Sequence, residues 1–314
     1  MIPSILFFAA GIGLLWTGTD AVLRRIPKIA AWLRVSPLVV TVLLVAVMTS
    51  LPELSVSIFA SLRGQPSAAM GNIVGSNFVT LTFVAGLCAL WRPIVVGPSI
   101  RERESSWMIL SAALLLILSM DGTLSRTDGL VLIAAYIPYF RCTVEEARRQ
   151  RLAVPAGRVP RPALDLLVFA AGVGMVVFGA HWIVEHGTVL ARQMGMNDLL
   201  IGVTFYAFGT SLPELAIALG AVLRRQADVT LGEIYASNIF TGLVVAGLLC
   251  LVRPLPVDPL VSSRDLPLLI LGGVLLQMFV TTHGRFIRSE AVVMIALFAL
   301  FLSAQFTGFS LALP

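Results

Sequence analysis

Residues 49–53 read Thr-Ser-Leu-Pro-Glu, and residues 209–214 read Gly-Thr-Ser-Leu-Pro-Glu, each set deep inside a long apolar run. A charged side chain at the centre of a bilayer costs on the order of 3 kcal/mol on the most lenient scale, so an acid there needs a partner. No Lys or Arg lies within the central apolar segments. The missing positive charge is therefore expected to be a cation or a proton. Ala46, Thr49, Ser50 and Glu53 stand at i, i+3, i+4 and i+7, as do Ala207, Thr210, Ser211 and Glu214. Each set lines one helical face and gathers oxygen atoms on it. Pro52 and Pro213 supply no N–H to the carbonyls of Met48 and Gly209, so a kink is expected beside each acid.

Working outward, residues 38–87 align with residues 199–248 at a constant offset of 161, and 22 of the 50 pairs are identical. Chance gives only a few. The matched region includes a second motif, Gly-Asn-Ile-Val-Gly-Ser-Asn at 71–77 and Gly-Glu-Ile-Tyr-Ala-Ser-Asn at 232–238. Its small residues suggest close helix approach. Asn72, Ser76 and Thr80 share a four-residue spacing, as do Glu233, Ser237 and Thr241, so each triplet can face the first helix of the other half. Ser76 and Ser237 read as ligands, with Thr80 and Thr241 completing the candidate metal-binding set. Asn77 and Asn238 read equally well as ligands or as helix ties. Glu233 reads either as a cation-attracting mouth carboxylate or as a solvated acid that suits the start of its helix.

Only 12% of the 314 residues are charged and 58% are hydrophobic, against about 25% charged in an ordinary soluble domain. Apolar stretches near 20 residues recur, each able to cross a hydrocarbon core of roughly 30 Å. Ten spans are expected near 3–22, 36–62, 67–91, 105–120, 128–142, 163–186, 197–223, 228–252, 266–282 and 290–308. The first has no basic leader or clear cleavage site and reads as a retained helix. With the N-terminus outside, 17 of the 22 Lys and Arg residues fall on the cytoplasmic side. Only Arg63, Arg126, Arg192, Arg253 and Arg264 stay outside, which the positive-inside rule favours. The net charge of +5 is thus a matter of topology and not of nucleic-acid binding. Five spans per half is an odd number, so the second copy enters the membrane in the opposite sense. The expected fold is all-α and integral to the membrane, ten transmembrane helices in two inverted five-helix repeats. Residues 1–142 form one half, 143–162 a cytoplasmic linker, and 163–314 the other.

Cys88, Cys142 and Cys250 have no paired or metal-type spacing. His181 and Glu185 lie four residues apart without an evident third ligand and read as structural.

At its two motifs the chain resembles the sodium/calcium exchanger family of the cation/calcium antiporter superfamily, in the short prokaryotic form without a regulatory calcium-binding domain. The resemblance implies that Glu53 and Glu214 are the central calcium ligands, completed by backbone oxygens at Thr49 and Thr210. It further implies that Ala46, Ser50, Ser76, Ala207, Ser211 and Ser237 help to form sodium sites. Members usually carry Asn and Asp where this chain has Thr80 and Thr241.

The expectation is a multi-pass cell-membrane antiporter, both termini outside, exchanging calcium for sodium by alternating access with no cofactor and no obligate protein partner. A calcium or other divalent cation/proton antiporter is the alternative, since protons also neutralise buried acids. A cation channel suits a two-fold repeat less well. An intramembrane hydrolase lacks a Ser-His pair or a zinc-ligand set.

Overall fold

The structure is a computed structural model that describes residues 2–153, 162–194 and 208–307. Its helices, in chain order, are α1 (Ile2–Leu33), α2 (Pro37–Leu62), α3 (Pro66–Trp91), α4 (100–118) and α5 (Arg126–Ala153). After the linker come α6 (Pro162–Gln193), α7 (Leu212–Leu223), α8 (Ala227–Val252), α9 (261–283) and α10 (Arg288–Thr307). Seven of these helices are long and apolar enough to cross a membrane, which makes the chain a multi-pass, helical membrane protein.

Local structure repeats at the offset of 161 seen in the sequence. α2 breaks at Ser50 (φ −81°, ψ 2°) and α7 begins at Ser211 (φ −87°, ψ 4°). The kink expected beside Pro52 is thus a break in the helix at Ser50, and Pro52 and Pro213 each stand in the first turn of the helix that follows. Proline is favoured there because a first-turn N–H has no intrahelical acceptor. After α2 and α7 the chain needs a left-handed residue, which is Gly64 (φ 74°) in one copy and Arg225 (φ 62°) in the other. Wide π turns follow each Gly/Ala-Ser-Asn motif, at Val79–Val84 and Thr241–Val245. In the first, Thr80 and Thr82 donate to the carbonyls of Ser76 and Phe78, a back-bonding that bends helices.

Two short strand pairs tie the halves crosswise. β1 (Ile94–Val95) pairs with β4 (Arg285–Phe286), and β2 (Thr123–Leu124) pairs with β3 (Leu255–Pro256), both antiparallel. A charged pair also recurs beyond the aligned region. Arg103 and Glu104 open α4, and Arg264 and Asp265 bond at 2.7 Å at the equivalent point of α9.

The core lies where α3 and α8 meet. Of their most apolar 18-residue windows 78% and 83% are buried, against 22% for α1 and 33% for α10. α1 instead lies along α6 as a peripheral pair. Three helices run well past their expected ends, α6 by continuing to Gln193. α1 runs on to Leu33 because Arg24 pairs with Asp20 one turn back at 2.7 Å, which keeps the charged end helical. α5 runs on through Ala153, into the stretch read as linker, with Glu146 meeting Arg103.

Close helix approach occurs at the second copy of the motif, where a Cβ on Gly232 would lie 2.5 Å from Leu38, but not at the first. A methyl group added at Gly71 or Gly75 meets nothing within 4 Å, because both glycines border a groove lined also by Phe208 and Phe298. Tight backbone contacts join α5 to α8 at Gly129 and Gly247, and α1 to α6. A Cβ on Gly18 would lie 2.6 Å from the Gly172 carbonyl and 2.9 Å from the Val176 N. Backbone cannot yield as a side chain does. Gly18→Val is therefore expected to destabilise the protein by about 1–3 kcal/mol, read as a lower melting temperature in detergent, while Gly13→Val, in open space, leaves it unchanged.

Candidate ion-binding site

The two interruptions place Glu53 and Glu214 in the first turn of the helices that follow, where helix N-termini favour negative charge. Both are buried, each 2% exposed. Each keeps an Oε2 with no hydrogen-bond partner. Among the described residues no ion pair links either acid to a basic side chain. Two unneutralised acids with free oxygens suit a hard cation, which takes oxygen ligands.

Around them the structure gathers the candidates on α2. Ala46, Thr49 and Ser50 are buried, and the Ala46 carbonyl accepts from the Ser50 hydroxyl at 2.8 Å. Ser211 is buried with a free Oγ, and Thr210 is half-buried. Ala207 lies outside the described residues. The Gly209 carbonyl is not fully released, since it accepts a long bond of 3.4 Å from the Leu212 N–H.

The second motif contributes from α3 and α8. Ser76 and Ser237 are buried and donate to the carbonyls of Ile73 and Ile234, both at 3.2 Å. Asn238 donates to the Thr80 hydroxyl at 2.7 Å and to the Ile234 carbonyl at 2.8 Å, while Asn77 donates to the Asn238 carbonyl at 3.3 Å. These bonds tie the halves together, so Asn77, Asn238 and Thr80 act as helix ties. Thr241 is buried in the matching π turn.

Glu233 requires a correction. It is neither at the mouth nor solvated, being 0% exposed in mid-helix. The Thr49 hydroxyl donates to its Oε1 at 2.6 Å. That hydroxyl has one proton, and its other acceptors, the carbonyls of Val45 and Ala46, are farther away at 3.1 and 3.3 Å. Across the pseudo-symmetric site Thr210 donates to the Asn72 Oδ1 at 3.3 Å. Asn72 in turn donates to the Ser57 hydroxyl at 2.9 Å and to the Glu53 carbonyl at 3.3 Å. The triplet spacing, which turns Glu233 and Asn72 toward the other half, was the signal that located both. Ser57 gave no such signal.

His181 and Glu185 form an exposed pair at 3.3 Å. Cys88 and Cys250 are buried and Cys142 is exposed, all unpaired.

The profile of the family described as sodium/calcium exchanger protein matches residues 3–142 and 164–307. The chain belongs to that family. It is 33% identical to the inner membrane protein YrbG of Escherichia coli (strain K12), over 77% of each chain. It is 27% identical to the sodium/calcium exchanger MaX1 of Methanosarcina acetivorans, over 96% of this chain and 98% of that one. A solved structure of the sodium-calcium exchanger NCX_Mj superposes with a TM-score of 0.85 at 28% identity, covering 97% of this chain and 99% of that one. This member of the exchanger family thus shares its fold with a solved relative along nearly its whole length.

The ties across the centre generate a test. Asn238→Leu is expected to cost about 1 kcal/mol, within the range of interhelical hydrogen bonds in membranes. Thr80→Val should cost less in that background than alone, because the interhelical bond is already lost and only the bond from Thr80 to its own helix remains to be removed. Thermal melting of the two single variants and the double variant measures the coupling.

Proposed function

We propose that the protein is a secondary active antiporter that exchanges calcium for sodium by alternating access, and not an enzyme. The observation that carries this reading is the pair Glu53 and Glu214, buried at repeat-related helix starts with a free oxygen on each and no basic partner among the described residues. A cation entering from either side supplies the missing charge. Sodium and calcium compete for the same oxygens, so one load excludes the other and coupling follows. The proposed ligands are Glu53 and Glu214 with oxygens of Thr49 and Thr210 for calcium, and Ala46, Ser50, Ser76, Ala207, Ser211 and Ser237 for sodium. Kinship with proteins named sodium/calcium exchangers supports both ions.

The architecture in this reading is ten crossings in two inverted halves, with both termini outside and residues 143–162 cytoplasmic. The crosswise strand pairs support it, because each joins two loops that the charge count puts on one side. Arg224 also meets Asp20, beside Arg24, and both arginines are assigned to the cytoplasm. Inverted repeats around a midplane site are the plan of many secondary transporters.

Calcium-45 uptake into sodium-loaded proteoliposomes tests the function. Uptake is expected to need internal sodium, to fail with potassium loading, and to fall by about 100-fold in Glu53→Gln or Glu214→Gln, since losing one member of a buried charge set costs several kcal/mol. Uptake driven only by a pH gradient would move the counter-ion to protons. No calcium flux under any gradient would end the calcium assignment.

External pH supplies a further check. Carboxylates bind metal only when ionised, so acidification is expected to weaken calcium uptake and added calcium to restore it. Inhibition at low pH that no calcium concentration relieves would argue against direct competition at these acids.

A further inference from the structure

Glu233 and Asn72 occupy the same place in the two repeats, yet their surroundings differ. Asn72 is satisfied on both ends: its Oδ1 accepts from Thr210, and its Nδ2 donates to Ser57 and to the Glu53 carbonyl. The residue equivalent to Ser57 is Ala218, which has no hydroxyl to offer. Glu233 accordingly has one partner, Thr49, at Oε1. Its Oε2 is buried with none.

The carboxylate that carries this oxygen lies beside the ion-binding region. Thr49 is the last helical residue before the break in α2, so the bond at 2.6 Å holds the carboxylate beside the interruption. Thr49 shares its face of α2 with Ala46, Ser50 and Glu53, so Glu233 stands beside the residues gathered there. Among the described residues, however, no three acidic, His or Cys side chains gather around one point as a metal cluster. Glu233 is therefore a neighbour of the two-glutamate site and not a third ligand of one shared ion. One carboxylate with a hydroxyl beside it balances a single positive charge, and the small, hard monovalent cation at hand is sodium.

We infer that Glu233 is a cation ligand, its free Oε2 and the Thr49 oxygen forming a subsite for one sodium ion beside the Glu53–Glu214 pair. The inference rests on the exchange reading above and extends it. The site then has three negative charges, two of which calcium balances, and the third calls for a monovalent ion. Among the buried matched positions of the aligned repeats the charge differs at Asn72/Glu233, so the subsite belongs to the Glu233 side alone.

Glu233→Gln tests this, because the amide oxygen can still accept from Thr49 while the charge is lost. Full-length protein in detergent and chelator is melted as sodium chloride replaces choline chloride at constant ionic strength. The wild type should melt higher with sodium, as a ligand of the native state requires. The variant should melt no lower than wild type in choline, and should need at least tenfold more sodium for half of the effect. In proteoliposomes the sodium dependence of calcium-45 uptake should become less steep by about one ion. Glu233→Asn, which installs the residue of the matched repeat, serves as a second variant should the glutamine form fail to fold. A variant with unchanged sodium midpoint and steepness, or one that melts lower in choline with a full sodium response, overturns the inference and makes Glu233 a packing residue. Uptake in the wild type without any sodium dependence overturns it together with the sodium reading. Sodium-driven uptake that Glu233→Gln does not alter overturns the inference alone.

Discussion

Carboxylates buried in a membrane core without a basic partner impose the constraint from which the rest of this structure can be read. An isolated charge in that medium is so unfavourable that the fold must offer either neutralisation or preorganised dipoles. Here it offers part of the second and leaves the first to an ion. Glu53 and Glu214 sit in the opening turn of a helix, where unpaired N–H groups and the helix dipole oppose their charge. Those helix starts exist only because the chain breaks at Ser50 and Ser211, and broken backbone is tolerated at membrane depth only where protein or a water-lined cavity surrounds it. The enclosure of α3 and α8, the most buried helices, supplies that protein.

The same constraint explains why four side-chain hydrogen bonds at the centre cross from one half to the other. Thr49 reaches Glu233, Thr210 reaches Asn72, Asn238 reaches Thr80, and Asn77 reaches the Asn238 backbone. Each polar group in such a medium must find a partner, and the nearest partners belong to the opposite copy. The consequence is a rigid, cross-braced core. The α1–α6 pair, joined to each other by backbone contact at Gly18 and Gly172, lies outside it. A rigid core holding the ligands and a peripheral pair moving as a unit is the division that alternating access needs.

Much of this was legible in the sequence because repetition amplifies it. Two Thr-Ser-Leu-Pro-Glu motifs at one offset located both breaks and both central acids, since proline acts on the backbone locally and needs no tertiary information. Other features depend on packing between halves. Glu233 looks like a helix-start acid when only its own helix is considered, and its burial follows from the crossed contact with α2. Gly71 and Gly75 have the composition of a close-packed face but border a groove, because composition permits approach without dictating which helix arrives. The Arg103–Glu104 and Arg264–Asp265 pairs repeat as well, and the same offset matches Arg92 with Arg253, Pro93 with Pro254 and Pro98 with Pro259 on the way to them, so the repeat extends past residue 87. The extension of α1 to Leu33 was hidden for a simpler reason. Apolar length measures the membrane's thickness and not the helix's, which Asp20 and Arg24 carry onward.

The departures from symmetry carry as much information as the repeat. Two copies of one unit facing each other form a site with matched chemistry on either side, and a transporter of that kind would have no intrinsic reason to treat its two sides differently. Here the second copy replaces Asn72 with Glu233 and, at a distance in sequence, Ser57 with Ala218. The two changes belong together physically. An amide nitrogen needs an acceptor, which Ser57 provides at 2.9 Å; a carboxylate has no proton to give such an acceptor, and without a donor hydroxyl at 218 its second oxygen remains open. One side of the site is thereby saturated by protein and the other is left short of a positive charge. Electrostatic asymmetry built into a symmetric frame places an extra cation on one side of the calcium pair, with the frame itself unchanged.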